Sequence, residues 1–202
     1  HLVTFENVLP SMMAAKSYDA ASQELYFDPE IYNVKTKTWT REPSKNKSSK
    51  PSYLEAYKSY VEMLTVTREK ITGHISITIE HISPVFAKDF LALIITEANN
   101  LNREKDIDIS DKALSHLNKE LSQTSLVELK ESINQLIAVQ LETRMMASIH
   151  DEYSLTTLEP PFIPEMKSSP IRSLIVILAT LAGGILSVMI VLLRHYTLGK
   201  GT

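Results

Sequence analysis

The sequence predicts an α+β protein: a small mixed sheet and a long helical hairpin, followed by one C-terminal transmembrane helix. Three observations carry this. Ile75, Ile77 and Ile79 alternate with Ser76, Thr78 and Glu80, the two-residue period of a half-buried strand. After Pro84 neither Gly nor Pro occurs until beyond Ile149, which leaves helix unbroken by its usual punctuation. From Ser173 to Leu193 there is no charged residue.

Taken in order, Leu2 to Ala15 suits a short helix interrupted at Pro10. Leu25 to Arg41 mixes Tyr, Phe, Val, Thr and Trp with turn residues, and reads as short strands or an ordered loop. Arg41 to Ser52 is a polar loop. Ser52 and Glu55 form a capping-box pair, so a helix is expected from Tyr53 to about Met63. Leu64 to Arg68 and His74 to His81 both alternate, and Gly73 lies between them, as in an antiparallel hairpin. Ser83 is an N-cap with Pro84 at the first helical position. Long helices are expected over 84–121 and 125–149, with the break at Ser122 to Ser125, where Ser125 and Glu128 repeat the capping-box pattern. One continuous helix is the alternative, since no Gly marks the turn. Tyr153 to Leu158 reads as one more strand. The domain so defined is 1–159, followed by a Pro-rich juxtamembrane segment over 160–172 with Pro160, Pro161, Pro164 and Pro170. The apolar run, 173–193, covers about 32 Å as a helix, against a bilayer core of about 30 Å. Residues 194–202 form a tail. Lys167 and Arg172 precede the run and Arg194 and Lys200 follow it, so charge does not orient it.

The net charge of −3 argues against nucleic acid as a partner. Cysteine is absent, which fits an oxidising compartment. Gly199-Lys200-Gly201-Thr202 lacks the spacing of a phosphate loop. Asp106, Asp108 and Asp111 alternate like calcium ligands, but an EF-hand loop would need Gly and Glu where Asp111 and Leu117 stand. The six histidines, His1, His74, His81, His116, His150 and His195, show no ligand spacing, and there is no GxSxG elbow. No catalytic residue, metal ligand or cofactor is therefore expected. Charge is segregated: Lys35 to Lys50 carries a local +5, while Glu97 to Glu152 holds 11 acids and 6 bases. This suits solvated faces, or complementarity between subunits or with an anionic glycan. Leu117, Leu121, Leu129, Ile133 and Leu136 have the spacing of helix-packing seams and are assigned to oligomer packing. Ala179, Gly183 and Ser187 recur every fourth residue, with Gly184 beside them, a small-residue face for transmembrane packing.

In combination these residues resemble the chain length determinant (Wzz) family of polysaccharide co-polymerases. Leu9-Pro10, Ala14 and Tyr18-Asp19 match its first stretch. Gly73 to His81 with Ser83-Pro84 and Ala87 resembles its strand and helix start. Asn100 to Arg103, with Leu117, Leu121, Thr124 and Leu129, resembles its long helices. The strongest single signal is Pro160, Pro161, Pro164, Lys167, Ser169 and Pro170 with Gly183-Gly184, similar to its Pro-rich segment and second membrane helix. The resemblance runs from Leu9 to Arg194. It implies the C-terminal portion of a bacterial inner-membrane protein, with 1–159 periplasmic, the tail cytoplasmic, and a first membrane helix earlier in the protein. It also implies a ring-like homo-oligomer that sets the modal length of lipopolysaccharide O-antigen. Its partners would be a separate O-antigen polymerase, the growing polysaccharide and membrane lipid. A membrane-anchored coiled-coil adaptor with no role in glycan assembly is the alternative, and an anchored hydrolase a third reading.

Overall fold

Local signals decide most of the first half of the chain. The computed structural model describes residues 1–5, 7–44, 47–164 and 172–198, with side chains of the last stretch described for 176–190. Two units result, His1–Ile163 and Pro164–Thr202. After one 3-10 turn at Leu2–Thr4, helix α1 runs Val8–Ala14. Pro10 lies inside its first turn, where a backbone N–H has no intrahelical acceptor, so it does not interrupt the helix. Strand β1, Ala15–Asp19, pairs antiparallel with β2, Glu24–Phe27. Asp19 closes the turn by accepting the Ala21 N–H at 3.0 Å and the Ser22 hydroxyl at 2.9 Å, which lowers its carboxyl pKa. The short ladder of β3, Tyr32–Asn33, and β4, Thr38–Trp39, brings Tyr32 into tilted ring contacts with Phe27 and Trp39.

Helix α2 spans Tyr53–Met63 and its capping box closes. Ser52 Oγ accepts the Glu55 N–H at 3.3 Å, and the Glu55 carboxylate accepts the Ser52 N–H at 2.9 Å. The same carboxylate takes the Arg41 guanidinium fork at 2.8 and 3.3 Å. Arg41 and the cap together hold the Glu55 pKa at about 2. The polar loop is thus tied back onto the start of α2. Strands β5, Leu64–Arg68, and β6, Ile75–Ile79, form the antiparallel hairpin, with Gly73 at φ +77 in its turn.

The sheet departs from expectation. Among the described residues, three separate two-stranded antiparallel ladders replace one small mixed sheet. Each ladder joins strands adjacent in sequence, and strands of two to five residues offer little edge for non-local pairing.

Helix α3, Pro84–Gln123, starts with the Ser83 hydroxyl accepting the Phe86 N–H at 3.2 Å. Its 40 residues extend about 60 Å. Helix α4, Val127–Ile149, follows after a three-residue turn, so the chain forms a helical pair rather than one helix. The Ser125–Glu128 capping box does not form, because the cap is Leu126 and no side chain accepts there. The short turn folds α4 back antiparallel along α3, where Arg144 pairs with Asp111 at 3.0 Å. Tyr153–Leu158 is not a strand but an irregular strap with bends at both ends. Its backbone is bonded by a side chain of α3 rather than by a strand.

The expectation of a transmembrane helix at 173–193 is also corrected. Helix α5 runs Arg172–Leu198, but among the described residues no helix is long and apolar enough to cross a membrane.

The buried apolar side chains fall in two places. Val8, Leu9, Ala14, Ala56 and Phe90 lie on α1, α2 and the first turns of α3, with Tyr32 covered by Phe27 and Trp39, while Leu114, Ile133 and Ala147 lie along the helical pair. His81 locks the first of these. The Ser83 N–H donates to its Nδ1 at 3.1 Å, so the proton sits on Nε2, which donates to the Ser11 carbonyl at 2.9 Å. Its ring also lies 4.5 Å from that of Phe86. Burial pushes the His81 pKa below its ordinary 6.5. The folded chain therefore binds fewer protons here than the unfolded chain. This stabilisation is present above about pH 6.5 and is lost as pH falls through the depressed folded value. Urea midpoints should drop between pH 7.5 and 5.5 in the native chain. They should drop less in His81→Gln, and equal slopes would rule His81 out as the source.

Candidate functional site

The most organised polar cluster joins the middle of α3 to the strap that follows α4. Asn99 is 4% exposed, and its side chain serves as a surrogate strand. Its carbonyl accepts the Ser154 and Leu155 N–H groups at 2.9 and 2.8 Å, and its amide donates to the Leu155 carbonyl at 3.0 Å. The Ser154 hydroxyl reaches the same carbonyl at 3.2 Å and takes the Asn102 amide at 2.9 Å. One α3 turn further, the Tyr153 hydroxyl donates to Asp106 at 2.8 Å, and that carboxylate pushes the phenol pKa up. Arg103 is oriented by Asn100 at 2.9 Å and lies 3.7 Å from Asp151.

Beside this clasp runs an open groove of about 540 Å³. One end is apolar, with Ala92, Ile95, Pro160 and Pro161; the other is polar, with Asn100, Arg103, Asp151 and Glu152. The groove holds both signs of charge, from Arg103 and from Asp151 and Glu152. Open, with an apolar end and a polar one, it has the form to hold an extended chain.

The other expected residues distribute as follows. Ile133 is buried within the helical pair and Leu117 and Leu121 are partly buried, whereas Leu129 and Leu136 are exposed. Pro160 and Pro161 line the groove, Pro164 is exposed, and Pro170 lies outside the described residues. On α5, Ala179, Gly183, Gly184 and Ser187 are all exposed, and nothing lies within 4 Å of where a Cβ would stand on either glycine. The alternating acids take up separate tasks: Asp106 holds Tyr153, Asp108 pairs with Lys112 at 2.6 Å, and Asp111 pairs with Arg144. Among the described residues no cluster of His and acids is placed to hold a metal. His1 meets Glu97 at 2.8 Å, and His116 and His150 are exposed.

Sequence reasoning missed Asn99. A signal existed, because Asn99-Asn100 sits mid-helix, where asparagine competes for backbone hydrogen bonds and lowers helix propensity. No family model matches this chain, and no curated protein matches it in sequence.

Replacing Asn99 by Leu leaves the Ser154 and Leu155 N–H groups without their acceptor. Each buried group so stranded costs about 1–3 kcal/mol, reduced where water reaches it. Amide exchange at Ser154 and Leu155 should accelerate while exchange within α4 is unchanged. Unaltered protection at both residues would mean that the clasp does not hold the strap.

Proposed function

We propose that the chain is a non-enzymatic regulator of the modal length of a bacterial polysaccharide, lipopolysaccharide O-antigen, acting as a homo-oligomer beside a separate membrane polymerase. The proposal places it at the inner membrane with its bulk in the periplasm, where it meets the growing polysaccharide and membrane lipid. The observation that carries it is the incomplete burial of α4. Ile133 and Ala147 are buried, but Leu129, Leu136, Val139 and Met146, spaced 7, 3 and 7 apart, form a second flank that is about half exposed. A helix with an unused apolar flank on a long rigid pair supports assembly by repetition of the same contact. The mechanism is positional. The oligomer presents a repeated surface to polymerase and glycan, and the state of assembly biases when polymerisation stops. The Asn99 clasp supports this by fastening the Pro160–Pro161 segment to the middle of α3. Displacement of the helical pair would then reach the Pro-rich segment directly.

Two measurements test the reading. Expression of the full-length protein in a strain lacking its own regulator should convert a random O-antigen ladder on a gel into a modal one. An unchanged ladder with the protein present would sink the idea. The L136E/V139E variant should keep its helix content and shift the mass measured by light scattering toward the monomer. A wild-type mass in that variant would remove α4 from the assembly contact.

A further inference from the structure

The outer face of α2 is unlike the rest of the surface. Tyr53, Tyr57 and Val61 follow one another at four-residue steps, with Leu54 beside them, and all four side chains are exposed. Tyr53 is 77% exposed and Tyr57 62%. The adjoining side of the helix supplies Ala56 to the core and Tyr60 to an edge contact with Phe90. The exposed stripe thus borders the face the fold uses. Its flanks are basic. Lys50 lies three residues before Tyr53 and Lys58 follows Tyr57; both are exposed and make no ion pair among the described residues. Lys47 stands at 3.9 Å from Glu55, whose charge is already met by Arg41. Glu62, at the far end of the helix, is the one exposed acid on α2.

We infer that this face is a docking surface for an acidic polysaccharide. The chemistry is specific in two ways. A tyrosine ring offers a flat apolar face on which the C–H face of a sugar ring stacks, and its hydroxyl remains free to bond a sugar hydroxyl. Tyr53 and Tyr57 are one helical turn apart, about 6 Å along the axis, so successive sugars of an extended chain can each meet a ring. Lys50 and Lys58 beside the stripe complement carboxylates on that chain and disfavour a basic partner. The lysine-rich loop adds to this field because the Arg41–Glu55 fork holds it against the start of α2. A lipid surface is the less fitting partner. An 11-residue helix with tyrosines in place of larger aliphatic side chains, and with Glu62 at its end, has little to insert among acyl chains. The inference deepens the function proposed above and rests on it for the ligand being a glycan.

The test is direct binding. The purified full chain is titrated with polygalacturonate oligomers, with dextran of matched size as the neutral control, and binding is read by calorimetry. Polygalacturonate should bind and dextran should not. Y53S/Y57S should weaken binding about tenfold or more. K50Q/K58Q should weaken it too and flatten its salt dependence. Circular dichroism confirms that each variant folds, since none of these residues is buried. Absence of polygalacturonate binding would overturn the inference. So would binding that ignores the tyrosines, which is charge attraction alone, or tyrosine-dependent pelleting with phosphatidylglycerol vesicles in preference to glycan. Glycan binding with an unchanged O-antigen ladder sinks only the regulatory reading. A modal ladder without glycan binding sinks only this one.

Discussion

A helix as long as α3 cannot be held by its own backbone bonds, because helix stability in water comes mainly from burying a face. Three neighbours in unit 1 can be placed by which part of α3 they cover. The first turns meet α2 through Phe90, whose ring stands edge-on to Tyr60 and stacks on Phe86, with Ser83 and His81 fixing the entry. The middle is covered by the strap, through Asn99. The distal half is covered by α4, through Leu114, Ile133 and Ala147. Each neighbour has too little apolar surface to stand alone. α3 is the element they share.

The three covers differ in kind. Apolar burial at both ends of α3 is non-directional, and it tolerates small shifts as long as volume is filled. The Asn99 clasp is directional and occupies three backbone groups of two consecutive residues with one side chain. A one-residue slip of the strap would strand those groups, so the clasp sets register where hydrophobic contact alone would not. The cost is a cover that water can compete for, since Ser154 itself is exposed. Of the three, the strap is therefore the cover most readily released without disturbing the helical pair.

Elements whose signals are local were legible in the sequence. Ser52 and Glu55 fixed the start of α2, Gly73 marked the hairpin turn, and Ser83-Pro84 marked the start of α3. Elements that depend on distant partners were not. Tyr153 to Leu158 has strand composition, but its backbone donors are met by an asparagine 55 residues away, which no periodicity announces. The alternating strands implied a shared sheet, yet each found its partner across its own turn. The second capping box shows the same limit from the other side. Ser125 has the right spacing, but the helix begins one residue too late for it to cap. On the candidate site the balance was similar. Pro160 and Pro161 stood out by type, whereas Asn99, Asn102 and Ser154 are ordinary residues made significant by where the helices bring them.

Charge supplies the last step. The basic stretch lies beside α2, at the base of the helical pair, while 11 of the 24 acids lie from Glu97 to Glu152, on α3, on α4 and just after it. Glu120 is 36 residues beyond Pro84, so it stands about 54 Å along the helix from the base. At physiological ionic strength charges are screened beyond about 8 Å. The two ends therefore contribute almost nothing to each other's stability within one chain. Several of the acids are already used locally, in Asp108–Lys112 and Asp111–Arg144. Segregation over such a distance has consequences only for other molecules. To an acidic chain approaching from solvent, the Lys35–Lys50 stretch is attractive and the shaft repulsive, and the tyrosines of α2 lie beside the attractive stretch.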